Sequence, residues 1–331
     1  MRAWWNRTIA PAPGPLTGRQ QLFRKVVRRI HWARTEGVGR LIEEDRLDPR
    51  PRLRAAVRKR AWRRTHSIAP GSAVPVYVVG LQRSGTNMFM RGLDEAPETE
   101  VRNENDRAVF EQFRVRSTDV LRCTVATSRQ QFVFFKPICD SHQLDRFLDL
   151  DGVAPGRGLW VYRDVDARAR SEVSKFGPAN LWALRDIAAG LGEQRWQGER
   201  LTAAAIELIR SFDLEAMTPH SAAALFWVVR NELFFTLGLD ARPDVLLVSY
   251  DAFVLHPEAQ MRRLCGFVGV SYRNDLDRHV DRRESHGTGR LDLDPRIRGL
   301  ADEMTERLDT TRNSQGVPFP HCLPDAPEGP S

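Results

Sequence analysis

Four short runs are apolar at every position but a terminal glycine: VYVVG at 76–80, FVFF at 132–135, LWVY at 159–162 and VLLV at 245–248. Runs of this length, too short for helices and rich in β-branched and aromatic residues, predict strands buried on both faces. Helical periodicity fills the intervals, over 86–95, 105–121, 140–150, Asp164–Lys175, about 179–238 and 257–268, and EAPET ends the first of these. Two more helices are expected before the first strand, at about 19–35 and 51–64, with DPRP as a breaker between them. Strands alternating with helices predict an α/β fold, a P-loop-like three-layer arrangement around a central parallel sheet. In such sheets ligands sit beyond the carboxyl ends of the strands. Gly80, Lys136 and Arg163 all fall there.

APGSAVP at 69–75 reads as a linker, giving a basic helical N-terminal extension (1–70), an α/β domain (71–316) and a loose Pro-rich tail (317–331). Trp227, Phe234 and Phe235 are expected in the core. No internal repeat is visible.

Charge adds one feature. The 331 residues carry a net +7, yet residues 1–66 alone carry +13 and the remainder −6. A basic arm beside an acidic body suits a solvated Arg-rich helix pair, or peripheral contact with an anionic membrane or another subunit. RRIHWAR and VRKRAWRR interleave tryptophan with arginine, but no nucleic-acid motif accompanies them, so no specific nucleic-acid partner is expected. Cys123, Cys139, Cys265 and Cys322 are far apart without a CxxC pair, which fits reduced thiols and gives no zinc signature. The opening MRAWWNRTIAPAPGP lacks the form of a signal peptide, and no apolar run reaches the length of a membrane span. A cytoplasmic enzyme is the expectation.

The chemistry begins at VVGLQRSGTNMFMRGL. Gly80 and Gly85 keep the glycine spacing of a P-loop, but Thr86 follows at once and the cation, Arg83, lies inside the loop. A tight loop entering a helix presents successive backbone N–H groups to an anion, aided by the helix dipole. Ser84, Gly85, Thr86 and Asn87 are the candidates. A second site is expected at LWVYRDVDARARSEVSKFG, where Arg163 could fork onto phosphate oxygens and Ser171, two helical turns on, could add a hydroxyl.

Together these segments resemble the sulfotransferase superfamily, whose members use 3′-phosphoadenosine 5′-phosphosulfate (PAPS). The loop resembles the family's [KR]-[ST]-G-[TS]-[TN] element, and the second segment its arginine with a serine eight residues later. LLVSYDAFVLHPEAQMRRLCGFVG is similar to the late strand and helix of bacterial members, so the resemblance spans roughly 75–270 and leaves the arm outside. It implies that the loop holds the 5′-phosphosulfate with Arg83 on the leaving oxygen. Arg163 and Ser171 would hold the 3′-phosphate, and Lys136 the transferring group. It implies Glu104 as general base, with His142, Asp140 and Glu111 as alternates, since KPICDSH has isoleucine at 138 where other members carry histidine. Arg283, in RRESHGTGR, would reach the 3′-phosphate from a basic segment. No metal is implied. The acceptor would be a small molecule or glycan: a carbohydrate, glycolipid or natural product. Two other readings remain open here, a P-loop kinase or NTPase and a non-catalytic anion- or nucleic-acid-binding module.

Overall fold

The structure, a computed structural model, describes residues 49–66, 68–192, 195–280 and 289–316. The chain divides into two units, Met1–Arg58 and Lys59–Ser331. Of the first, only the start of helix α1 (Pro49–Thr65) is described. The expected helix at 19–35 and the tail from 317 lie outside the described residues.

The second unit is built on a five-stranded sheet in the order β2 (Thr99–Arg102), β5 (Phe132–Phe135), β1 (Val74–Gly80), β6 (Arg157–Tyr162), β7 (Val245–Ser249). Every neighbouring pair is parallel. Alternate residues feed two separate cores. Tyr77, Val79, Val133, Phe135, Trp160 and Leu247 face one layer of helices; Val76, Val78, Phe134, Leu159, Val161 and Leu246 face the other. That is the physical content of a fully apolar strand: both of its faces are inside.

The second face is covered by α2 (Thr86–Leu93), α9 (Tyr250–Leu255) and α10 (Pro257–Val268), through Phe89, Leu93, Phe253, Met261 and Leu264. The first is covered by α3 (Thr118–Thr127), α4 (Leu144–Leu148), α6 (Ala179–Ala188), α8 (Pro219–Thr236) and α11 (Pro295–Ser314). Helix α5 (Val165–Phe176) follows β6, and α7 (Ala203–Arg210) packs by α6. Trp227 and Phe234 are fully buried, as expected, and Phe235 packs against the same core.

Two expectations are corrected. The segment 105–121 is no continuous helix: it holds a hairpin, β3 (Phe110–Glu111) and β4 (Arg114–Val115), before α3 begins. The segment 140–150 opens as a 3₁₀ turn, Ile138–Gln143, that leads into α4. The helices expected over 179–238 are three, α6, α7 and α8, each of the last two started by a threonine (Thr202, Thr218) whose hydroxyl accepts from the first turn. Helix α11 lies outside the elements that the sequence pattern predicts.

The outer edge of β7 is covered by side chains. Gln315, just past α11, accepts from Leu247 N–H at 2.8 Å and donates to Val245 C=O at 3.1 Å, while Arg263 donates to Leu247 C=O at 3.3 Å.

Gly80 is the position where strand packing demands glycine. Its φ is +136°, and a Cβ there would lie 2.1 Å from the carbonyl oxygen of Val161, its register partner on β6. Gly80→Ala is expected to cost about 3 kcal/mol or more, from combined backbone strain and overpacking. Urea denaturation measures it; a loss under about 1 kcal/mol would show that β1 and β6 can part without consequence.

Candidate active site

The loop between β1 and α2 is held in an unusual backbone conformation. Arg83 has φ 70° and Gly85 φ 86°. At Gly85, which N-caps α2, an added Cβ would fall 2.0 Å from the Tyr250 ring, so only glycine fits against it. A non-glycine residue such as Arg83 in the left-handed region persists only where its surroundings hold it. Here two arginines from the β6–α5 segment do so by donating to loop carbonyls. Arg163 Nη1 reaches Arg83 O at 3.3 Å and Arg168 Nε reaches Gln82 O at 3.2 Å.

The side chains of the two predicted anion-binding segments also meet. Arg83 Nε donates to Ser171 Oγ at 2.8 Å. Arg163 lies with its guanidinium carbon over the Tyr250 ring, 4.6 Å from its centre. Two buried polar atoms in this region, Ser84 Oγ and Arg163 Nε, have no hydrogen-bond partner among the described residues. Buried donors are rarely left so, and both fit an anion as the missing acceptor.

Arg168 escaped the sequence reading. It is wholly buried, donates to Asn180 Oδ1 (2.8 Å) and Ala223 O (3.0 Å), and pairs with Glu172 at 3.4 Å. Burial pulls its guanidinium below the ordinary value and pushes the Glu172 carboxyl up. In sequence it is one of two arginines in DARARSE, with nothing to mark it as the one turned inward.

Asp164 does not stand apart as a metal carboxylate would: it N-caps α5, accepting from Ala167 N–H at 2.8 Å, and its own N–H donates to Asp251 at 2.6 Å. Asp166, a conceivable partner for Arg163, is instead gripped by Arg298 of α11 at 2.7 and 3.0 Å.

Beside the loop, Lys136 at the end of β5 is fully buried and joins two strand ends. Its ammonium donates to Asn87 Oδ1 and forms an ion pair with Glu104 at 2.5 Å. Its backbone N–H also donates to Arg102 O on β2. Lys136 is thus no solvated cap on the sheet. The Glu104 side chain keeps 22% of its exposure while its Oε2 is buried, so the carboxylate stands between a buried cation and solvent.

The alternates for the base are engaged elsewhere. His142 is buried, with Nε2 against Glu199 Oε2 at 2.7 Å and Nδ1 facing Arg230 at 3.5 Å. Donation from Nε2–H to the carboxylate leaves Nδ1 to accept from Arg230, so both ring nitrogens are used. Asp140 accepts from Arg114 Nε (2.8 Å) and Val115 N–H (2.7 Å), and pins the hairpin. Glu111 is exposed on β3. Arg230, also unforeseen, donates to the carbonyls of Trp196, Gln197 and Glu199 and so shapes the segment that carries Glu199. Arg283 lies outside the described residues.

Burial and the nearby Arg230 charge lower His142 from 6.5 to about 4, against the pull of Glu199. His142 is therefore neutral near neutrality, with both ring nitrogens already engaged in hydrogen bonds. The sign for stability follows. The unfolded chain takes up a proton near pH 6.5 and the folded chain only near 4, so stability falls as pH drops through that window. Each unit of the gap is worth about 1.4 kcal/mol. His142→Gln should flatten this part of the stability–pH curve; an unchanged slope between these values would remove His142 as its source.

No family model matches the chain, and no curated protein does. Among solved structures it is similar to a sulfotransferase from Alicyclobacillus acidocaldarius, at 17% identity over 74% of this chain and 97% of that one, with a TM-score of 0.43. It is also similar to the sulfotransferase domain of the Synechococcus PCC 7002 olefin synthase, at 13% identity over 77% of this chain and 99% of that one, with a TM-score of 0.35. At these identities the likeness is one of fold alone. The function has to be read from the residues of the site. Among the described residues, no helix is long and apolar enough to cross a membrane.

Proposed function

We propose that this chain is a PAPS-dependent sulfotransferase that transfers a sulfuryl group to a hydroxyl or amine by in-line displacement. The observation that carries the proposal is the meeting of the two anion-binding segments, Arg83 Nε on Ser171 Oγ and Arg163 Nη1 on Arg83 O. They come from β1 and β6, adjacent strands, and converge beyond the strand ends. One anion loop serves any phosphate; two at one place suit a ligand with two separate anionic groups, such as a 5′-phosphosulfate and a 3′-phosphate.

In the proposed reaction the acceptor oxygen or nitrogen forms a bond to sulfur as the bond from sulfur to the 5′-phosphate oxygen breaks. The acceptor's proton goes to the Glu104 carboxylate, and adenosine 3′,5′-bisphosphate (PAP) departs with the bonding pair. Loop N–H groups and Arg83 would stabilise charge on the leaving oxygen, the kind of preorganised electrostatics that dominates such transfers. Lys136, already between Asn87 and Glu104, would hold the transferring group and keep the carboxylate aimed.

A P-loop NTPase would instead need a lysine at the loop's end and a carboxylate for Mg²⁺; Thr86 and the capping role of Asp164 argue against it. The test is calorimetry with PAP, with and without EDTA. Binding of PAP unaffected by the chelator is expected, whereas tight binding of ATP only with Mg²⁺ would replace this reading by the NTPase one.

A further inference from the structure

A cavity of about 530 Å³ lies between the β3–β4 hairpin with the start of α3 on one side, and the 3₁₀ turn with α4 on the other. That volume is in the range of small-molecule sites, about 300–1,000 Å³. The turn is its link to the candidate active site. Lys136 stands two residues before the turn begins, Cys139 Sγ accepts from Gln82 of the loop at 3.5 Å, and Asp140 and Gln143 reach the cavity itself.

Polar side chains stand on both sides, with their apolar stems and the Val115 and Phe147 side chains forming about as much of the surface as the polar groups do. Eight of the ten residues carry polar side chains, and only Val115 and Phe147 do not. Charges balance, with Glu111 and Asp140 against Arg114 and Arg116. A lipid would want walls with few charged groups, and a polyanion a surplus of cations. Carboxylates, guanidinium groups and amides side by side suit hydroxyl groups, each of which donates and accepts at once.

The hairpin carries a second, independent observation. Its two turn residues, Gln112 and Phe113, have φ 49° and 69°. Such two-residue turns favour Asn-Gly, because both positions need positive φ. Two non-glycine residues there are strained, and the strain is held by Asp140 on Val115 N–H and by Arg114 spanning Asp140 and Glu199. The turn leaves an aromatic ring half-exposed, Phe113 at 49%, on the residue between Gln112 and Arg114, both of which line the cavity. An aromatic face beside a polar cleft is a surface on which the C–H face of a sugar ring can stack.

We infer that this cavity is an acceptor subsite for a neutral, polyhydroxylated molecule, a carbohydrate of about disaccharide size. Its role as acceptor site rests on the sulfuryl-transfer reading above; its affinity for the sugar does not. The experiment is saturation-transfer NMR on the full chain with maltose, cellobiose and lactose, against 2-naphthol and 1-octanol. Two variants are measured alongside. Thr118→Trp drives an indole into the cavity from an exposed position. The double variant Gln112→Asn, Phe113→Gly supplies the residues the turn prefers and removes the ring. At least one disaccharide should bind at millimolar concentration, and both variants should weaken it about tenfold while the melting temperature of the double variant holds or rises. Binding that survives Thr118→Trp, or a response to 2-naphthol or 1-octanol with none to the sugars, overturns the inference. Sugar binding that depends on the cavity, in a chain that ignores PAP, supports the subsite and removes the donor reading alone.

Discussion

Glu104→Gln is expected to lower kcat by about 10²–10⁴-fold, the usual worth of a general base, and to leave PAP affinity nearly unchanged. The carboxylate is ion-paired with Lys136. The amide keeps the shape, and its oxygen still accepts from the lysine, which also retains Asn87. Only the capacity to take a proton is lost. A matching fall in melting temperature would point to the ion pair as a structural one, so thermal denaturation accompanies the assay. A kcat within about threefold of the parent, with PAP bound normally, moves the proton elsewhere.

Arg163→Ala is expected to weaken PAP by about 2–4 kcal/mol, roughly 30- to 1,000-fold. Two losses combine. The 3′-phosphate loses a fork-shaped donor whose Nε has no partner among the described residues. The loop loses the hydrogen bond on Arg83 O that helps hold its left-handed residue. Arg163→Lys keeps the charge but neither the fork nor the stacking on Tyr250, and should fall between. Ser171→Ala removes a single hydroxyl and should cost about 1 kcal/mol. Calorimetry decides: parent-like PAP affinity in both alanine variants would dissolve the assigned 3′-phosphate site.

The central strands were readable because burial on both faces leaves an uninterrupted apolar run, as in β1, β5, β6 and β7. Strand β2, TEVR, is an edge strand with charged residues half exposed, and that pattern is indistinguishable from a loop. The hairpin at 110–115 reads as helix in sequence because Val109, Phe110 and Phe113 sit at helical spacing, while its turn lacks the Asn or Gly that announces one. Helix α11 hides a thin apolar stripe of Ile297, Ala301, Met304 and Leu308 among charges. In the candidate site, residues on the loop and directly after strands stand out in sequence by position alone. Arg168, Arg230 and Glu199 were not. A buried arginine and a surface arginine look alike in sequence, and only tertiary partners separate them.

The last strand of an open parallel sheet is a template, since its free N–H and C=O groups will accept any extended chain at the correct spacing. At β7 that template is closed by an amide that mimics one. The Gln315 carboxamide gives and takes one hydrogen bond as a sixth strand's peptide group would, and Arg263 takes up the next carbonyl. Helix α11 therefore brings to the sheet a molecular plug against self-recruitment. A chain shortened before this residue would leave a strand edge open to its own copies, and solubility would suffer before catalysis did.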